Sequence, residues 1–120
     1  AEKLHAYTLP RPPERPNSRF KDLPDIVLLS STTSLHADRL RGAIQATFSF
    51  RGTHAEPKQL PPPPERWRAP YPKRKEADEL PWPDLDALFG EASSFLNPVL
   101  QGTAGRWSLD EKRWIQFSEE

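Results

Sequence analysis

The residues best suited to do chemistry lie near the start of the chain. Lys3, Arg19, Lys21, Asp22 and Asp25 fall within the stretch AEKLHAYTLPRPPERPNSRFKDLPDIVLLS, ahead of the first good apolar run, Ile26-Val27-Leu28-Leu29. Phosphate chemistry needs cations beside a carboxylate, because phosphoryl charge must be neutralised where a hydroxyl is activated. The same residues also spell an ordinary helix start. In that reading Asp22 caps the helix and Asp25 stands at its third position, near the positive end of the dipole. Residue types alone leave both readings open.

Other candidates are weaker. There is no Walker-type loop, no zinc-ligand spacing and no Gly-Xaa-Ser-Xaa-Gly elbow. His5, His36 and His54 stand apart in sequence, a poor basis for a metal or nucleophile site. Asp84-Leu85-Asp86 has the spelling of a two-carboxylate metal motif, but it opens a strong helix, where acids are expected anyway. Pro61 to Pro64 reads as a stiff connector or as a ligand for a proline-reading domain. Arg66, Arg68, Lys73, Arg74 and Lys75 are interleaved with Trp67 and Tyr71, a mix that can bind a phosphate backbone and stack bases. Glu65, Glu76, Asp78 and Glu79 lie among them and favour a solvated face.

These residues must be positioned by helices. Residues 1–8 have a helical look, with Leu4 and Tyr7 three apart, but are too few to stand alone. A stiff link, LPRPPERP, follows. Pro24 forbids a helix that starts at Ser18, because it would then remove an interior hydrogen bond; a start at Asp22 puts it in the first turn. Ser30 to Thr33 should break that helix, and Ser34 can cap the next. Leu35, Leu40, Ala43, Ile44, Thr47 and Phe48 then form one amphipathic stripe, with Asp38, Arg39, Arg41 and Gln45 on the other side and Gly52 as the stop. From His54 to Pro81 the pattern dissolves into a proline-framed arm that lays Trp67 and Tyr71 onto the core, with a short charged helix over 73–79. The strongest helix starts at Pro83, with Asp84 and Asp86 in its first turn: Leu85, Leu88, Phe89, Ala92, Phe95, Leu96, Val99 and Leu100 share a face, and Gly102 can end it. Its expected partner is the helix over residues 35–50. Trp107 and Trp114 would close the end of that pair as a short helix or an extended strip.

Composition sets bounds. Seventeen basic and seventeen acidic residues cancel, so no global field favours nucleic acid or membrane. Cysteine is absent, which rules out disulfides and thiolate metal sites and fits a cytoplasmic location. No run approaches the length of a membrane-spanning helix. Fifteen prolines in 120 residues imply helices joined by stiff connectors.

EKLHAYT, a proline/arginine link and NSRFKDLPDIVLL together resemble the later motifs of the AbiEii/AbiGii nucleotidyltransferase toxins, from bacterial abortive-infection toxin–antitoxin pairs. The likeness continues in AIQATFSFRGT, in the proline run before Trp67, in FLNPVL and in the tryptophan-bearing tail. That family carries a polymerase-beta-like domain with a Gly-Ser pair and a downstream Asp-Xaa-Asp that holds the metal. This chain has no Gly-Ser dipeptide, and its Asp84-Leu85-Asp86 lies beyond the KLHA and RFKD motifs. The resemblance therefore implies that an N-terminal catalytic domain precedes this stretch in the whole protein.

Carried over by position, Lys3 matches the lysine expected near the nucleotide phosphates. Asp25, or else Asp22, matches the later catalytic acid that activates the attacking hydroxyl. Arg19 and Lys21 match supporting basic positions, while Pro24 stands where the family usually has an aromatic or aliphatic residue. The expectation is a mainly α chain, a small helical bundle with proline-rich extended connectors. It divides into an active-site motif segment (1–34), a helix (35–53), a proline-rich arm (54–81) and a long helix with a Trp-bearing tail (82–120). Its expected function is to serve in nucleotide transfer from an NTP to an acceptor hydroxyl, with RNA the expected acceptor, with Mg²⁺ in the full-length protein and none held by this stretch alone. Partners would be the acceptor RNA and a cognate antitoxin. The alternative is a stand-alone helical binding module working through its proline run or basic-aromatic arm.

Overall fold

A computed structural model describes residues 1–9, 20–32, 35–102, 105–108 and 110–115. Five α-helices dominate: α1 (Glu2–Thr8), α2 (Asp22–Thr32), α3 (Ala37–Arg51), α4 (Tyr71–Asp78) and α5 (Leu85–Leu100). A single 3₁₀ turn spans Glu65–Trp67, and β1 (Arg106–Ser108) pairs antiparallel with β2 (Arg113–Ile115). The mainly α expectation holds.

The core is built around α5. Its start is set by Asp84, whose carboxylate accepts the Ala87 N–H at 2.8 Å, and by the apolar stripe behind it. Leu85, Leu88, Ala92, Phe95, Leu96, Val99 and Leu100 are buried, and Phe89 is half-buried. Its closest helical neighbour is α2 rather than the expected α3, which packs on it less extensively. The reason lies in α2's composition: Leu23, Ile26 and Val27 all bury, whereas α3 sinks only Ala37, Ile44 and Phe48. Ala43, expected in the α3 stripe, is exposed, and Phe50 is 85% exposed. Arg41, expected on the solvent side, instead donates to the Val99 and Leu100 carbonyls at 2.7 and 3.1 Å. It thereby satisfies the end of α5, where carbonyls lack helical partners.

The α2 start is one residue earlier than a cap at Asp22 would give. The Asp25 N–H closes its bond onto the Lys21 carbonyl (3.1 Å), so Asp22 is the first helical residue and Pro24 the third. Pro24 still costs no bond, since the first three helical N–H groups have no intrahelical acceptor. Ser30 to Thr32 do not break α2. Ser30 Oγ donates to the Val27 carbonyl at 2.6 Å, Ser31 Oγ to the same carbonyl at 3.3 Å, and Thr32 Oγ1 to Leu29 at 3.3 Å. Hydroxyls bonded back along the helix no longer compete with it. Thr33 and the proposed cap Ser34 lie outside the described residues. His36 occupies the N-cap of α3 instead, and the Ala37 N–H reaches the Gly105 carbonyl at 2.8 Å.

The arm delivers its aromatics as expected, with Trp67 and Tyr71 buried. It is also pinned: Leu60 N–H donates to Asn97 Oδ1 (2.7 Å) and Tyr71 Oη to the Trp82 carbonyl (2.8 Å). Pro70 and Pro72 open α4 rather than prevent it, because they sit at the N-cap and in the first turn. The tail takes the extended form. Trp107 faces Trp114 across the hairpin, and Phe95 of α5 meets both rings at 4.9 and 5.8 Å.

Candidate active site

The charged residues of the first stretch converge where α1 lies on α2. At about 100° per residue, α1 turns Leu4 and Tyr7 into the core and sets Lys3 on one flank. Asp22 and Asp25, three apart, share a face of α2. Lys3 Nζ lies 2.9 Å from Asp25 Oδ2 and 3.7 Å from Asp22 Oδ1. The two acids differ sharply in setting. Asp22 is 2% exposed, whereas the Asp25 and Lys3 side chains are 45% and 49% exposed. A buried carboxylate needs its compensating charge for the fold, and a half-exposed one remains open to a ligand.

Beside this pair is a depression of about 170 Å³ lined by Lys21, Pro24, Asp25, Leu28, Asp78 and Leu80. The helical start at Lys21 and the end of α4 together form it. Asp78 and Leu80 belong to a stretch whose charges read as a solvated face, so nothing local in the sequence marks them as neighbours of Asp25. A larger depression, about 440 Å³, is lined by Arg41, Glu56, Pro57, Lys58, Leu100 and Gln101 and contains none of the expected site residues. Lys3, Lys21, Asp22 and Asp25 are thus brought together, while Arg19 lies outside the described residues.

Several other candidates resolve into structural roles. Asp84 caps α5, and Asp86 takes a two-bond grip from Arg68 at 3.0 and 3.1 Å. That grip, with Glu65 beside it, raises the guanidinium's pKa and lowers the Asp86 carboxyl's. Trp67 and Tyr71 bury their rings, so the arm offers no open aromatic face at either for base stacking. Arg74 rests 4.8 Å over the buried Phe20 ring. His5 and His54, far apart in sequence, lie with ring centroids 4.9 Å apart. No sequence pattern marks that pair; the return of the chain at Gly52, φ +62°, creates it.

Mg²⁺ does not fit the donor set present. Among the described residues no three His, Cys, Asp or Glu side chains converge as a metal site. The two carboxylates that do converge meet an ammonium, which already supplies the positive charge a cation would bring. No helix among the described residues is long and apolar enough to cross a membrane.

No curated protein and no solved structure matches the chain. A family model does, that of the nucleotidyl transferase AbiEii toxin of type IV toxin–antitoxin systems, over residues 1–112. That span takes in α1 and α2 with the Lys3–Asp25 contact, the arm, α5 and β1 but not β2, so the chain belongs to the AbiEii nucleotidyl transferase toxin family.

Proposed function

We propose that this chain is the helical part of a toxin that transfers a nucleotide from an NTP to an acceptor hydroxyl, with RNA as the acceptor. The observation that carries the reading is the half-exposed Lys3–Asp25 pair at 2.9 Å, set at the edge of a depression that also holds Lys21. Lys3 and Lys21, with Arg19, are cations for the triphosphate. Asp25 is the acid that takes the acceptor's proton as the acceptor oxygen bonds the α-phosphorus and pyrophosphate leaves. Asp22, buried behind Lys3, holds that ammonium in place rather than reacting.

The Mg²⁺ that such a reaction uses finds no donor set among the described residues. Its ligands belong to a domain with Gly-Ser and Asp-Xaa-Asp motifs, encoded upstream of this stretch. In this reading residues 1–120 alone do not catalyse the transfer, and a cognate antitoxin regulates the whole protein. A stand-alone binding module is disfavoured because Trp67 and Tyr71 are buried and the Pro61 carbonyl is taken by Tyr7 Oη at 2.7 Å.

The test is transfer of label from α-labelled NTPs to RNA, with residues 1–120 and with the protein extended through the upstream reading frame. Label should move only with the extended protein and should stop with Asp25→Asn. Transfer by residues 1–120 alone, or unaltered transfer by the variant, would refute the reading.

A further inference from the structure

The depression beside Asp25 has two walls from distant parts of the chain. One is α2, where Asp25 and Leu28 are three apart and share a face, with Lys21 just ahead of the helix. The other is the end of α4. Glu79 follows that helix in the left-handed conformation, φ 54°, and the Leu80 N–H returns to the Lys75 carbonyl at 3.0 Å. This closure turns the buried Leu80 inward and leaves Asp78 exposed at the rim.

Local structure does not account for Asp78. It ends α4 at the negative pole of the helix dipole, where an acid is disfavoured. Among the described residues its carboxylate has no ion-pair or hydrogen-bond partner, and neither has the Lys21 ammonium. Leu28 keeps nearly half of its surface exposed on the same depression. Opposite charges and apolar surface thus line one hollow without engaging each other.

The chemistry of the lining selects its occupant. At about 170 Å³ the hollow falls well below the about 300 Å³ from which pockets enclose drug-sized ligands, so it seats one ring rather than a whole nucleotide. Carboxylates accept and do not donate, so a ring seated between Asp25 and Asp78 has to donate at two points. The edges of nucleobases mix donors with acceptors. The terminal ribose of an RNA instead carries hydroxyls on adjacent carbons, and its C–H edges suit Pro24, Leu28 and Leu80. The 2′-hydroxyl is also the group by which a protein tells RNA from DNA.

We infer that Asp78 is a specificity residue: it accepts a hydrogen bond from the 2′-hydroxyl of the acceptor's terminal ribose while the neighbouring 3′-hydroxyl faces Asp25. This assignment rests on the proposed transfer reaction and names the acceptor chemistry that its site takes. Asp78 moves no proton; the 3′-hydroxyl proton goes to Asp25 as the oxygen bonds the α-phosphorus and pyrophosphate leaves. Lys21 lines the same hollow, so the cation given to the triphosphate lies next to that oxygen. The NTP carries the same pair of hydroxyls, and the experiment separates the two sources.

The experiment measures kcat/KM for label transfer from α-labelled NTPs by the protein extended through the upstream reading frame. Two synthetic RNA acceptors are compared, identical except that one ends in a 2′-deoxynucleotide. The unaltered protein should favour the ribose end by about tenfold or more, in line with a hydrogen bond to a charged acceptor. Asp78→Ala should slow transfer to the ribose end down to the rate of the 2′-deoxy end. Its preference for NTP over dNTP should not move. Removing an acid from the end of a helix should leave Tm unchanged or slightly raised, so lost folding does not enter. The assignment is overturned if the unaltered protein uses both ends equally, if Asp78→Ala slows both alike or keeps the preference, or if the NTP preference changes instead. Those results leave the transfer reaction standing as long as transfer still depends on Asp25. No transfer by the extended protein, or full transfer by Asp25→Asn, overturns the reaction and this assignment together.

Discussion

Replacing Asp22 and Asp25 in turn by asparagine tests the proposed division of labour between a structural and a reacting carboxylate. Asn keeps the shape of Asp and removes the charge. At Asp22, 2% exposed, the lost interaction is a charge-assisted one in a buried setting, so about 1.5–3 kcal/mol of stability should go. At Asp25 both partners are about half exposed and solvent screens them, which limits the loss to about 0.2–1 kcal/mol. For a chain of this size roughly 4 °C of Tm accompanies each kcal/mol, giving falls of about 6–12 °C and about 1–4 °C. Thermal unfolding by circular dichroism measures both, and the labelled-nucleotide assay on the extended protein measures the other half. Asp25→Asn should abolish transfer with its small Tm change, while Asp22→Asn should lose transfer no faster than it loses folded protein. Equal Tm losses for the two variants, or intact transfer by Asp25→Asn, would refute the assignment.

Four further outcomes follow from particular positions. Trp107→Phe removes the Nε1–H that donates to the Ser30 carbonyl at 2.7 Å in a buried setting, and should cost about 1–3 kcal/mol in urea unfolding. Gly52 has φ +62°, and a Cβ there would meet nothing nearer than the Ser49 carbonyl at 4.0 Å. Gly52→Ala should thus cost only backbone strain, about 1–2 kcal/mol, whereas Gly42→Ala inside α3, with open space around it, should stabilise by about 0.5–1 kcal/mol. Burial holds the Tyr7 hydroxyl's pKa far above its ordinary value of 10.0. Its contribution to stability is therefore complete below pH 10 and is lost as pH rises past it, so ultraviolet titration should show Tyr7 ionising only with unfolding.

How far the site was legible can be seen by comparing its two carboxylates. Asp22 and Asp25 are both visible as acids beside cations, and their three-residue spacing is enough to put them on one face of a helix. Which of them is buried depends on how α1 and the core close over the start of α2, so the sequence left the catalytic choice between them open. Asp78 and Leu80 were unreadable as neighbours of Asp25 for the same reason: they are separated from it by more than fifty residues, and only packing brings them near. The His5–His54 ring pair is of this kind too, since isolated histidines carry no spacing signal.

The sequence by itself determined the local elements. The α5 stripe, the Gly52 stop and the proline-bounded arm follow from periodicity, capping and backbone restriction, which act within a few residues. It also carried the family, through motifs that survive as short strings. Tertiary structure alone decided that α2 rather than α3 is the main partner of α5. It also decided that three hydroxyl residues continue α2 instead of ending it. In both cases the deciding groups lie far along the chain: the buried faces that compete for α5, and the Trp107 indole that takes the Ser30 carbonyl. Local propensity differs there by less than a single buried contact supplies, so long-range packing settles the outcome.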